Sequence, residues 1–272
     1  FIGGFGWGVW SAALATTISQ GVSVALCLYR LMKYQTPYQL HIKHIRFHVP
    51  TLKNIIRLGL PSGVQNSIIA FANLVVQSNI NSFGDAAMAG CGSYSKGEGF
   101  AFLPITCFAM ALSTFVGQNL GAKQYDRVKK GVRFGIICSV ILAELMGVAI
   151  LFLGPNLIAL FNGTAEVVDY GTRQARLEAL FYFLLAFSHC IAGIMRGAGK
   201  AMVPMLTMLA SWCLLRITYI TVVIRFVPKI EVVFSAYPLT WFVSSVIFLI
   251  YFFKADWLHG FDKLEAKQAK TA

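Results

Sequence analysis

A chain of 272 residues that is 57% hydrophobic and only 12% charged is not a soluble domain, which carries roughly twice that charged fraction. Its mean hydropathy of +0.67 marks an integral membrane protein. A net charge of +12 does not signal nucleic-acid binding, because the cations sit in the connections between apolar runs and not on one patch.

Seven apolar runs lie near residues 7–32, 58–82, 86–118, 131–153, 170–195, 203–225 and 232–253. Each is close to the ~20 residues a spanning helix needs. The expected fold is an all-α polytopic membrane protein with seven transmembrane helices. The first run is too long, and wrongly flanked, for a cleaved signal peptide. The chain does not begin with Met and is read as a fragment of a longer protein. Residues 33–57 read as a cytoplasmic linker. Within it Val49, Leu52, Ile55 and Ile56 fall at helical spacing opposite Lys53 and Arg57, the pattern of a short amphipathic surface helix. His41, His44 and His48 fall in the same linker without an acidic or cysteine neighbour, so a solvated linker is expected in place of a metal site. The second run opens with Pro61, which a first helical turn tolerates. The third is overlong and carries Gly90, Gly92, Gly97, Gly99 and Pro104, so a bend or an unwound turn is expected there. Six cysteines lie in or beside apolar runs with no CxxC among them, and read as small packing residues.

Lysine and arginine counts set an orientation. Alternate connections hold 17 of them and the opposite set 2, Arg225 and Lys229. This places the tail from 254 to 272 in the cytoplasm and the amino end outside. The first and last runs also correspond at an offset of 224. Val9-Trp10-Ser11-Ala12 lies against Val233-Phe234-Ser235-Ala236, Thr16 against Thr240, and Arg30 against Lys254. A parallel repeat of six helices, with five missing in front, leaves this trace.

Polar groups inside the runs are the candidate pathway. In 58–82, Ser62, Asn66, Asn73, Gln77 and Asn81 occupy an arc of about 100°, which reads as interhelical hydrogen bonding or as the wall of a hydrated cleft. Ile68 and Val75 are then expected to face lipid. In 170–195, Glu178, Tyr182 and His189 share a face, with Leu185 between them. Glu178 and His189 are about 16 Å apart along the axis, so only a water-borne relay could join them. Glu98 sits among glycines, with Tyr94 one turn back and Lys96 badly angled as a partner. A carboxylate at the bilayer centre costs about 2.5–3.5 kcal/mol and must be protonated, paired or hydrated. Glu144 has no cation within a turn, and Arg216 is its expected cross-helix partner. No HExxH, G-x-S-x-G or Walker sequence is present, so neither an enzyme nor an ATP-driven pump is expected.

The polar hairpin Phe115–Gly135 organises the chain. Gly117 and Gly121 form a small-xxx-small pair, and Lys123, Arg127, Lys129, Lys130 and Arg133 follow. Residues 117–122 (GQNLGA) and 125–130 (YDRVKK) resemble the multidrug and toxic compound extrusion (MATE) transporters. So do Gly59-Leu60-Pro61, Met195-Arg196-Gly197-Ala198-Gly199, Val203-Pro204, Trp212 and Arg216. The resemblance implies twelve helices in two six-helix bundles. Residues 1–32 would be the last helix of the first bundle, and 58–253 the second bundle. It implies export of cationic and amphipathic compounds in exchange for Na⁺ or H⁺ across the plasma membrane. The implied partners are the lipid bilayer, a small-molecule substrate and the missing amino-terminal bundle, with no nucleic acid and no cofactor beyond the coupling ion. Some branches of the family couple through a carboxylate in the first helix, which is absent here. Others use acids in the seventh and tenth helices. The seventh here has none, the tenth has Asp169 and Glu178 towards its outer end, and Leu185 stands near the expected position. The coupling site therefore does not carry over. A seven-helix receptor or sensor and a lipid-linked oligosaccharide flippase are the alternatives.

Overall fold

The computed structural model describes residues 10–33, 39–41 and 46–259. Residues 7–9 of the first run, His44, and the tail beyond His259 with Lys263, Lys267 and Lys270 lie outside the described residues. There are two compact units, one ending at Leu52 and one starting at Lys53.

The first unit contains α1 (Trp10–Lys33). Its Thr17 and Ser19 hydroxyls donate to the carbonyls of Ala13 and Ala15, which satisfies them without a partner helix. Its last turn is basic, with Arg30 and Lys33.

The second unit is a helical bundle. It consists of α2 (Val49–Asn81, entered from the first unit), α3 (Asp85–Gly121), α4 (Tyr125–Ala159), α5 (Ala165–Glu178), α6 (Tyr182–Gly197), α7 (Met202–Met208), α8 (Arg216–Phe226) and α9 (Ile230–Lys254). A 3₁₀ turn, Ala179–Phe181, joins α5 to α6, and a π-helical turn, Leu209–Leu215, joins α7 to α8. With α1 this makes seven helical rods among the described residues, taking α5 with α6 and α7 with α8 as one rod each, as the apolar runs predicted. Five of them, from α3 onward, are long and apolar enough to cross a membrane by length and composition.

Three boundaries differ from the sequence reading. Val49–Arg57 is helical but continuous with the rest of α2, so it is not a separate surface helix. Pro61 consequently lies inside α2 and not in its first turn. Proline removes one backbone hydrogen bond there, and the Ser62 hydroxyl bonds the neighbouring Leu58 carbonyl at 3.1 Å. The third difference is α3, which stays helical through all its glycines and Pro104. Its glycines serve packing. A methyl at Gly90 would approach the backbone nitrogen of Gly171 to 3.0 Å, so α3 and α5 cross nearly backbone to backbone.

The rod formed by α5 and α6 is central. Of its most apolar 18-residue window 61% is buried, against 22% for α4. Leu185, Ala186, Ile191, Ile194 and Met195 are fully buried, and α6 packs on α3, α4 and α9. The crossing with α3 depends on Gly193 and Gly197, where a methyl would collide with the carbonyl oxygens of Ala109 and Ser113. Gly117, half of the pair singled out from sequence, faces the carbonyl of Gly197 at 3.4 Å from where its methyl would be, while Gly121 faces nothing.

Gly121 instead ends α3. The amide of Gln124 donates to Asn119 O at 2.8 Å and that of Lys123 to Leu120 O at 2.9 Å, with Lys123 left-handed at φ 55°. This is a Schellman closure. The same closure ends α6. Lys200 donates to Met195 O at 2.8 Å and Gly199, at φ 74°, to Arg196 O at 3.0 Å. Both family-like motifs, Gly121-Ala122 and Gly197-Ala198-Gly199, are thus helix terminators.

Candidate functional site

Helices α3, α5, α6, α8 and α9 enclose a polar cluster in an otherwise apolar bundle. Glu178, the last residue of α5, is fully buried. Its Oε1 accepts from Gln174 Nε2 at 2.9 Å, one turn back. Its Oε2 accepts from the Tyr94 hydroxyl of α3 at 3.4 Å. Tyr94 also shares a 2.8 Å hydrogen bond with the Tyr182 hydroxyl at the start of α6. The 3₁₀ turn brings these two ends together, because tightening the helix after Glu178 lets both Glu178 and Tyr182 point at Tyr94. Glu98, one turn beyond Tyr94 on α3, is partly buried and lies in electrostatic range of both Glu178 and Arg216.

Arg216 is the cationic member, with no exposed surface. It follows the π turn, donates to Thr240 Oγ1 of α9 at 2.8 Å and reaches Asn73 Oδ1 of α2 at 3.4 Å. Its guanidinium lies 4.4 Å from the Tyr237 ring centre and 5.1 Å from that of Trp212. Aromatic faces, one hydroxyl and one amide oxygen thus hold a buried charge that no carboxylate among the described residues grips directly. Its Nε lacks a hydrogen-bond partner.

The sequence assignments divide as follows. The structure brings together Glu178, Tyr182, Arg216 and, electrostatically, Glu98. It joins Asn73 to the cluster through Arg216. Glu178 is not towards an exposed outer end. It is the fourteenth residue of α5 and fully enclosed, because the helix starts earlier than the apolar run suggested. The expected Glu144–Arg216 pair is absent. Glu144 Oε2 accepts the backbone N–H of Phe183 at 3.3 Å, a donor freed by the helix break, while Arg216 is turned towards α9 and α2. His189 is separate from Glu178. Leu185 between them is fully buried, and the imidazole sits in an aromatic cradle, 5.4 Å from Phe102 and 5.7 Å from Trp212. Its Nε2 is unpartnered. Lys96 points elsewhere, 4.9 Å from the Phe161 ring centre.

On α2, Asn66, Asn73 and Gln77 are exposed on this chain, and Gln77 bonds Asn81 at 2.8 Å. The buried face is one residue away, at Gln65, Ala72, Val76 and Ile80. Ile68 and Val75, expected to meet lipid, are partly buried, while Leu60, Val64, Phe71 and Leu74 are among the exposed apolar residues. Gln65 accepts from Arg196 of α6 at 3.4 Å. Gln174, Gln65 and Thr240 went unrecognised in the sequence. Gln174 could have been found from its four-residue spacing to Glu178. Thr240 carried no local signal, since only the crossing of α8 and α9 gives it Arg216 as a partner.

Residues 61–222, which include most of this cluster, match the family model for MatE. The chain belongs to the MATE family. It is 27% identical over 221 residues to the probable multidrug resistance protein YpnP of Bacillus subtilis, covering 79% of this chain and 48% of that protein. It is 26% identical to the probable multidrug resistance protein NorM of Thermotoga maritima, covering 75% and 44%. The chain thus spans about half the length of the relatives it matches. Its fold matches an outward-facing multidrug resistance MATE transporter at TM-score 0.83 and 19% identity, over 99% of this chain and 59% of that one. A MOP superfamily transporter from Pyrococcus furiosus gives 0.70 at 21% identity, covering 74% and 45%. Membership of the MATE family sets aside the seven-helix receptor reading.

Proposed function

We propose that this chain is the carboxyl-terminal part of a secondary active exporter of drugs or other cationic and amphipathic compounds. It works with an amino-terminal bundle, in the plasma membrane, with its carboxyl end cytoplasmic. Uptake of Na⁺ or H⁺ drives export, and Glu178 with Glu98 forms the coupling site in this half. The single observation that carries this reading is the enclosed Glu178–Tyr94–Tyr182 cluster at a broken helix. Ionisable groups inside a membrane bundle are expensive and concentrate on ion pathways. A helix break adds carbonyls that can join the carboxylate in holding a small cation. Two acids and one buried guanidinium give the site a charge that changes when either carboxyl binds a proton or ion. Asn66, Asn73 and Gln77 then line the cleft on the side of α2 next to its packed face.

The test is dye efflux from vesicles containing the full-length transporter, driven by an imposed ion gradient. Glu98→Gln and Glu178→Gln should each abolish gradient-driven efflux while leaving the detergent-stable yield near wild type, since Gln keeps shape and hydrogen bonding. Wild-type efflux from both variants would sink the coupling assignment.

A further inference from the structure

A second feature lies away from the Glu178 cluster, near the start of α4 and the end of α9. Lys129 and Arg133 border a cavity of about 620 Å³ whose remaining lining is apolar or aromatic. Phe187 of α6, Leu249 and Phe253 of α9, and Trp257 form much of its surface. The volume is that of a ligand site, within the ~300–1,000 Å³ typical of such sites. Trp257 is pinned over the end of α9. It stacks on Phe252 at 5.0 Å and 29°, and its indole N–H donates to the Phe252 carbonyl at 3.2 Å. A tryptophan at this level, with cations beside it and phenylalanines beyond it, has the layering of a membrane interface.

The cations need a reason for their place. Arg127, Lys129, Lys130 and Arg133 occupy the first turns of α4, with Asp126 the acid of the first turn. Positive charge at a helix amino terminus opposes the macrodipole, so helix stability does not account for it. None of the lining side chains is acidic. The nearby Asp126 is exposed, and Asp256 is paired with His259 at 2.7 Å. The cavity is open on the bundle surface, where Phe253 is 77% and Ile137 48% exposed.

We propose that this cavity binds one anionic phospholipid of the surrounding leaflet. Its phosphate sits between Lys129 and Arg133, and an acyl chain runs along Phe187, Leu249 and Phe253. Paired cations over an apolar trough match a phosphate ester that carries hydrocarbon, and the trough has no use for a free phosphate ion. The lipid would tie α4, α6 and α9 together at one membrane face, independently of which compound is exported or which ion drives it.

Native mass spectrometry of the full-length protein in detergent tests this, with phosphatidylglycerol titrated against phosphatidylcholine of the same acyl chains. Wild type should retain phosphatidylglycerol at a roughly tenfold lower concentration. Lys129→Gln/Arg133→Gln should erase that preference, and Arg127→Gln/Lys130→Gln, which removes the same charge outside the cavity, should keep it. Leu249→Trp should reduce retention without changing charge. Equal retention of both lipids by wild type overturns the proposal, and so does equal loss in the two charge variants, which would assign the effect to general surface charge. A chain ending at His259 should bind as wild type does. A tenfold gain on that truncation would make the following segment the occupant and overturn the lipid assignment.

Discussion

Arg216 concentrates the chemistry of single residues in this protein. It is fully buried, and its energy balance depends on geometry that only a planar, forked cation satisfies: one hydroxyl at 2.8 Å, one amide oxygen at 3.4 Å and two rings. A lysine ammonium is a point charge that cannot stack and bond in those directions at once. Arg216→Lys is therefore expected to lower the unfolding free energy by about 2 kcal/mol, the scale of a hydrogen bond to a charged group. Arg173→Lys at the exposed pair with Glu231 should leave it close to wild type, because exposed ion pairs contribute little. Thermal unfolding in detergent, followed by tryptophan fluorescence, measures both. Equal effects would mean that Arg216 is solvated and not held. The sequence singled out Arg216 as a cation within an apolar run but paired it with Glu144, which it does not meet, because side-chain direction across two helices is not encoded in spacing along either one.

At the scale of the element, the break between α5 and α6 is the feature with a mechanism. The backbone N–H of Phe183 finds an acceptor in Glu144, and the carbonyl of Ala179 presses against Gly147, one turn further along α4. Helix α4 therefore supplies both the acceptor and the space that the break requires. Glu144→Gln keeps a carbonyl oxygen and should leave stability near wild type. Glu144→Leu strands the N–H and should cost about 1–3 kcal/mol. Equal losses would show that the charge of Glu144, and not its accepting oxygen, is what α4 provides. Gly147→Ala should be destabilising by a similar amount, about 1–3 kcal/mol, since its methyl meets backbone that cannot move without straightening the break. A Gly147→Ala protein as stable as wild type would show that the turn is free to shift.

For the whole molecule, the polar stripe of α2 is exposed on this chain, with Asn73 also reaching Arg216. Cysteines at Asn66, Asn73 and Gln77 in the full-length protein are expected to react with small aqueous thiol reagents, and cysteines at Phe71 and Leu74 to stay inert. Inertness at all five would reduce the stripe to hydrogen bonding between helices. The charge distribution makes a second prediction at this scale. A cysteine at Lys254 should label only from the cytoplasmic side and one at Asn162 only from outside, and labelling of both from one side would end the seven-rod topology.

Composition and hydropathy alone fixed that this chain is helical and spans a membrane, because each rod must satisfy its own backbone in lipid and so writes its length directly into a run of apolar residues. Both helix terminators are local, Gly121-Ala122 and Gly197-Ala198-Gly199 each acting within five residues of themselves, but in the sequence the second stood out only as a family-like motif. What the tertiary structure decided was every contact made across rods. The 3₁₀ turn after Glu178 has no proline or glycine to announce it, and it forms where α4 supplies Glu144 and Gly147. Gly193 and Gly197 proved to be the close α3–α6 crossing while Gly121 touches nothing, since helix rotation determines which glycine meets a neighbour. The continuity of α2 through Pro61 was hidden because a proline reads alike at a first turn and inside a rod. Partner identity for Glu98, Glu144, Glu178 and Arg216 depends on distances between residues far apart in the chain, and no periodicity along one helix contains them.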